Sequence, residues 1–139
     1  MNLDEIVDIF ELLGDWEQRY QYLIELGEQL PTMQSNLKID DNKVHGCMSQ
    51  VWISAELKHG HIYFIGDSDT SVIKGILALL VGLCSGREAL AIQQMDMDKI
   101  FQRLNLDEHL SPNRHVGVYA MFDLMKQKAV QANKTNIAA

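Results

Sequence analysis

The 139-residue chain predicts an α+β fold, and three observations carry that expectation. Two segments near the middle, 50–57 and 61–65, alternate apolar and polar residues with the period of a strand. The segments before and after them carry apolar residues at helical spacing between recognisable caps. Their order is helices, then strands, then helices, and not the strand–helix alternation of a parallel sheet. The architecture expected is a small antiparallel sheet packed on several helices. It forms one domain over 1–139, with a flexible tail at about 133–139.

Asn2 is placed to cap a first helix with Ile6, Ile9, Phe10 and Leu13 on one side and Gly14 as its stop. Asp15-Trp16-Glu17-Gln18 then reads as a capping box. It opens a second helix that runs to Leu30, with Tyr20, Leu23, Ile24 and Leu30 inward. Gly27 is expected to weaken the last turns and Pro31 to end them. Residues 31–42 are a polar connector. Gln50–Leu57 and His61–Ile65 are strands of a hairpin, joined through Lys58-His59-Gly60. Gly66-Asp67-Ser68-Asp69-Thr70 reads as a turn supplying caps for a helix from Ser71 to Cys84. That helix is apolar nearly all round, and so is expected at the centre of the domain. Short helices follow over 87–94 and 97–104. Ser111-Pro112 starts a last helix that runs to about Ala132, with Val116, Tyr119, Met121, Phe122, Met125 and Val130 expected to pack.

Composition excludes several function classes. Residues 1–42 carry ten acidic side chains against Arg19 and Lys38, and the whole chain has a net charge of −7. Without a basic cluster to neutralise phosphates, nucleic acid is not an expected partner. The longest apolar run, 76–83, is too short to cross a membrane. The first residues lack the positive start and apolar stretch of a secretory signal, and two cysteines do not make a disulfide framework. A cytoplasmic location, where thiols stay reduced, is the expectation.

The stretch that carries chemistry is Lys43-Val44-His45-Gly46-Cys47-Met48-Ser49-Gln50-Val51-Trp52. Gly46 permits a tight turn that holds Cys47 at a loop apex, directly before a packed strand. A lone cysteine is commonly a small buried hydrophobe, and Cys84, among Leu80, Val81 and Leu83, is read in that way. Cys47, on a polar loop, is the candidate nucleophile. In an extended segment His45 would share its side, but a Cys–His catalytic pair also needs a third group to orient the imidazole. No paired Cys or His spacing supports a metal site. Gly66–Asp69 lacks the remaining spacing of a calcium loop. No phosphate-cradling or dinucleotide motif is present. Arg114 is unfavourably placed for the dipole of the last helix, yet could face a thiolate or a partner's carboxylate.

Four blocks of residues resemble one family. They are Trp16-Glu17-x-x-Tyr20-x-Tyr22-Leu23-Ile24-Glu25-Leu26-Gly27 with Leu30-Pro31, and Gly46-Cys47-x-Ser49-Gln50-Val51-Trp52. The others are Gly66-Asp67-Ser68-Asp69 with Lys74-Gly75, and His109-Leu110-Ser111-Pro112-x-Arg114-x-x-Gly117. In this order they resemble the SufE family of sulfur acceptors in iron–sulfur cluster assembly. Ser49-Gln50 and the Trp16-containing start are closer to it than to the paralogous CsdE branch.

The resemblance implies an α+β fold like that of the IscU-type scaffolds. It also implies that Cys47 takes persulfide sulfur from a SufS-type cysteine desulfurase and passes it to a scaffold of the SufBCD type. The pyridoxal phosphate would belong to the desulfurase, leaving this chain no cofactor or metal of its own. Loop and partner-contact candidates are His45, Gly46, Met48, Ser49, Gln50, Asp69 and Arg114. His45 departs from the family pattern and is therefore not expected as an essential base, and Met48 departs too, which points to tuning of fit at that position rather than to chemistry. A homodimer is compatible with the resemblance. The alternatives from other classes are a non-catalytic adaptor and a stand-alone Cys–His hydrolase or thiol transferase.

Overall fold

A computed structural model describes the backbone of residues 1–138 and the side chains through residue 134. In chain order it contains α1 (Leu3–Leu13), α2 (Trp16–Glu28), β1 (Val51–Lys58), β2 (His61–Ser68) and α3 (Ser71–Cys84). α4 (Ala89–Gln93), α5 (Met97–Leu104), α6 (Leu106–His109) and α7 (Pro112–Ala138) follow. This is the α+β architecture expected, with the antiparallel pair β1–β2 as its sheet among the described residues. The tail expected over 133–139 falls mostly on residues outside those whose side chains are described.

The first two helices start where their caps dictate. Asn2 Oδ1 accepts from Glu5 N at 2.9 Å, and Asp15 Oδ1 from Gln18 N at 2.9 Å. Gly27 has a role beyond weakening α2. It is buried where α2 crosses α3, and a β-carbon there would lie 2.9 Å from Gly75 N. A β-carbon on Gly75 would in turn lie 2.5 Å from the carbonyl carbon of Leu23. The two glycines let the backbones touch, which two residues with side chains could not do.

The hairpin turns on His59 (φ 52°) and Gly60 (φ 80°), two positive-φ residues of the kind that match the twist of paired strands. Ile53 pairs with Gly66, Ala55 with Phe64 and Leu57 with Ile62. Ile53, Ile62 and Phe64 thus face the core, while Tyr63 and Ile65 are exposed. β2 continues three residues past Ile65, where the sequence suggests a turn. Gly66, Asp67 and Ser68 find cross-strand partners in Ile53, Trp52 and Val51, and pairing overrides their turn propensity. Gly66 also clears the way for α3, since a β-carbon there would lie 2.9 Å from Leu77 Cδ2.

α3 is the central element, with Ile73, Ile76, Leu77, Leu79, Leu80, Leu83 and Cys84 all buried. It packs against α2, β2 and α7. Each fully buried aliphatic side chain of this kind stabilises the fold by about 1.5–3 kcal/mol. On α7 the inward residues include Val118, Met121, Phe122, Met125 and Ala129, whereas Val116, expected to pack, is 61% exposed. Val118 takes the inward direction instead, two residues further round the helix. The connector forms 3₁₀ turns at Ser35–Leu37 and Asp40–Asn42. Asn42 is buried: its Nδ2 donates to Leu37 O at 2.8 Å, and its Oδ1 accepts from Lys128 Nζ at 2.6 Å. That side chain ties the entry to the cysteine loop to α7.

Candidate functional site

The loop between Val44 and Val51 is held at its base. Val44 is buried, and its N donates to Val51 O at 2.8 Å. Lys43 bridges to Trp52 beside it. The exit is held from the other side of the sheet. Gln50 N donates to Asp69 Oδ1 at 3.0 Å, and Asp69 N donates to Gln50 O at 3.2 Å. The hydroxyls of Ser49 and Thr70 are 2.7 Å apart. Thr70 stands at the N-cap of α3 without capping it by its side chain. The residues expected as helix caps, Asp69 and Thr70, are thus spent on the cysteine loop.

Between these anchors Gly46 adopts φ 91°, the left-handed region that glycine enters without steric cost. Cys47 follows, partly buried and free of any disulfide. Met48 beside it is 82% exposed. The turn at Gly46 removes the extended geometry that would align His45 with the thiol. His45 is exposed, and its Nε2 lies 3.8 Å from Asp40 Oδ1. It makes no hydrogen bond to Cys47 among the described residues, so the arrangement is not a Cys–His catalytic pair.

Cys47 opens into a cleft of about 210 Å³ lined by Met48, Ser49, Thr70, Ile73, Ser111, Asn113 and Arg114. Arg114 is exposed, and its guanidinium has no ion-pair partner among the described residues. Its backbone N donates to Ser111 Oγ at 3.4 Å, within the cap of α7. On α7, Gly117 lies under the thiol, where a β-carbon would lie 2.8 Å from Cys47 Sγ. Thr70 does not stand out as a site residue in the sequence, and Gly117 enters there only as the closing residue of the fourth block. Its three-residue spacing from Arg114 and Ala120, which places them on one helix face, is the further signal that points to it.

Cys84 differs from Cys47 in its burial. It is 0% exposed, and its Sγ donates to Met95 Sδ at 3.7 Å. Burial pushes its thiol up to about 12, against weaker opposing effects of Arg87 and Lys126. It is a core residue, as its surroundings in the sequence indicate. Asp67, beside the loop exit, is governed by opposing influences. Burial alone would raise it, but ion pairs from Lys38 at 2.7 Å and Lys74 at 3.2 Å, with Ser68 N, hold its carboxyl below the usual range. No group of three or more His, Cys, Asp or Glu side chains that could hold a metal ion occurs among the described residues. No helix there is long and apolar enough to cross a membrane.

The four sequence blocks supply this site and the packing that supports it. The first supplies Trp16, whose indole stacks on His109, and Tyr20, whose hydroxyl donates to the His109 carbonyl. They steady the turn that leads into α7. The third supplies Asp69 and the Gly75 crossing, and the fourth supplies Arg114 and Gly117.

Comparisons with known proteins bear on the fold and the family. A solution structure of a hypothetical protein from Thermus thermophilus has the same fold, with a TM-score of 0.78, 19% identity and coverage of 95% of this chain and 96% of that one. A SufE-like protein of Rhizobium meliloti is 38% identical over 132 residues, covering 92% of this chain and 94% of its own. One of Rhizobium etli is also 38% identical over 132 residues, covering 92% and 89%. The model of the SufE family, described as an Fe–S metabolism associated domain, matches residues 4–129. With a partly buried thiol at the head of its cleft and a family match over nearly its whole length, this chain belongs to the SufE family and has a role in iron–sulfur metabolism.

Proposed function

We propose that this protein is a sulfur carrier of the cytoplasm. Cys47 accepts sulfur from a pyridoxal-phosphate-dependent cysteine desulfurase of the SufS type and delivers it to an iron–sulfur scaffold of the SufBCD type. The observation that supports this best is the placement of Cys47, whose thiol lies on a tethered loop at the head of a cleft that Arg114 also lines.

The chemistry asks for little more. The Cys47 thiolate attacks the outer sulfur of the desulfurase's persulfide. A new S–S bond forms on Cys47, the old one breaks, and the desulfurase cysteine leaves as a thiolate that takes up a proton. Sulfane sulfur changes carrier with no net oxidant or reductant. The rate follows the thiolate fraction, its nucleophilicity and its access. Arg114 supplies positive charge in the cleft, where it can hold the anionic sulfur that arrives or an acidic group of the partner. Ile73, from the central helix, gives the cleft an apolar wall against reductants. Lifting of the loop then presents the sulfur.

The test is a mass measurement after incubation with the desulfurase and cysteine. The Cys47 peptide should gain one sulfur atom that a thiol reductant removes. Cys47→Ser should bind the desulfurase but fail to stimulate it, whereas Cys84→Ser should still be loaded. Sulfur found on Cys84, or on neither cysteine, overturns the proposal. Stimulation that survives Cys47→Ala identifies an adaptor instead.

A further inference from the structure

We infer that Gly117 is a positioning residue that sets the withdrawn position of the Cys47 thiol. Its functional meaning rests on the sulfur-carrier reading above. A glycine inside a helix lowers helix stability relative to alanine, so it needs a reason. One reason is a positive φ, but Gly117 is not among the glycines with that conformation. The other is a close approach, and here the approaching group is the thiol. A β-carbon at Gly117 would lie 2.8 Å from Cys47 Sγ, 3.4 Å from its Cβ and 3.6 Å from its Cα. Ordinary contacts between such heavy atoms are about 3.5–4 Å.

The conflict is therefore confined largely to the sulfur. The backbone of the loop stands far enough away to stay, while the side chain has to swing off its seat. The neighbouring contact is looser: a β-carbon on Gly46 would lie 3.8 Å from Ala120 Cβ. Gly117 and Ala120 are one helical turn apart, so this face of α7 forms a shallow floor for residues 46 and 47. The hydrogen at position 117 lets the thiol rest on α7, and a methyl there would turn it outward.

The experiment is Gly117→Ala, read by the rate at which iodoacetamide alkylates Cys47 in the folded protein. Cys84, being buried, serves as the internal marker of unfolding. Alkylation of Cys47 should quicken by about fivefold or more, in line with the dependence of thiol reactivity on access, with Cys84 still protected and the melting temperature unchanged or higher. A folded variant whose Cys47 rate stays within about twofold of the parent overturns the inference. Should Gly117→Ala lower the melting temperature, the same substitution is made in a Cys47→Ala background. Recovery in that background supports the inference, because the clash partner is gone. An equal loss there overturns it, because the glycine would then serve helix packing. The alkylation rate is measured on the reduced protein with no desulfurase present, so its outcome is separable from that of the sulfur-loading measurement.

Discussion

The indole of Trp16 lies flat on the imidazole of His109, with ring centroids 3.9 Å apart and 13° between the planes. One residue opens α2 and the other closes α6, so the stack ties the N-terminal helices to the turn before α7. His109 Nδ1 is also 3.0 Å from Asn105 O, and Arg19 covers the indole at 5.1 Å. Trp16→Ala should therefore destabilise the fold by about 2–3 kcal/mol, combining lost burial of a half-buried ring with lost stacking. Urea unfolding followed by circular dichroism measures this. Glu17→Ala, on the exposed side of the same turn, should stay within about 0.5 kcal/mol of the parent.

Gly75→Ala should be far more damaging than a helix-propensity scale suggests. Propensity alone favours alanine in a helix interior. The added methyl would instead meet the Leu23 carbonyl and its Cβ, the latter at 3.0 Å, and a backbone cannot rotate away as a side chain does. We expect a loss of about 3 kcal/mol or more, seen as a steep drop in melting temperature and in soluble yield.

Asp67 confers a pH dependence with a definite sign. Lys38 and Lys74 hold its folded-state carboxyl below the ordinary value of 3.8. The stability it contributes is thus present above that value and is lost as the pH falls through the lowered one. Asp67→Asn should cost about 1–2 kcal/mol at pH 7, as a partly buried pair of ion pairs does. At pH 3 and below the gap between variant and parent should narrow. Urea midpoints at the two pH values test this, and a gap that widens in acid would contradict the assignment.

Arg114 should matter to sulfur loading and little to folding. Its guanidinium is exposed and without an ion-pair partner among the described residues, so Arg114→Ala should change stability by less than about 0.5 kcal/mol. Loading of Cys47 by the desulfurase should slow by roughly tenfold, the order expected for one lost charge contact of about 1–2 kcal/mol. Arg114→Lys should recover part of that rate, because the charge remains while the planar fork is lost. Single-turnover loading measured by mass distinguishes the variants.

Much of the fold could be read from local pattern. The caps Asn2 and Asp15 and the Ser111-Pro112 start of α7 lie where near-neighbour chemistry places them, and α3 spans Ser71–Cys84 as its apolar run indicates. The misreadings share a cause. Gly66, Asp67 and Ser68 look like a turn but are strand, because their partners Val51, Trp52 and Ile53 are distant in sequence. Val116 matches the apolar pattern yet is exposed, since which face of α7 turns inward is set by what packs beneath it. Leu106–His109 carries too short a period to announce a helix.

For the site, the residue types singled out Cys47 as the candidate nucleophile, and the four blocks along the chain pointed to the family and to loop candidates that include Gly46, Asp69 and Arg114. What only the folded chain decided is how they meet. Gly117 lies under the thiol, Asp69 and Thr70 grip the loop in place of capping α3, and His45 turns to Asp40. The physical reason is range. Caps, turns and periodicity are settled within a few residues by backbone hydrogen bonds and sterics, whereas these contacts join residues brought together by burial of the core, whose pull on apolar surface has no direction of its own.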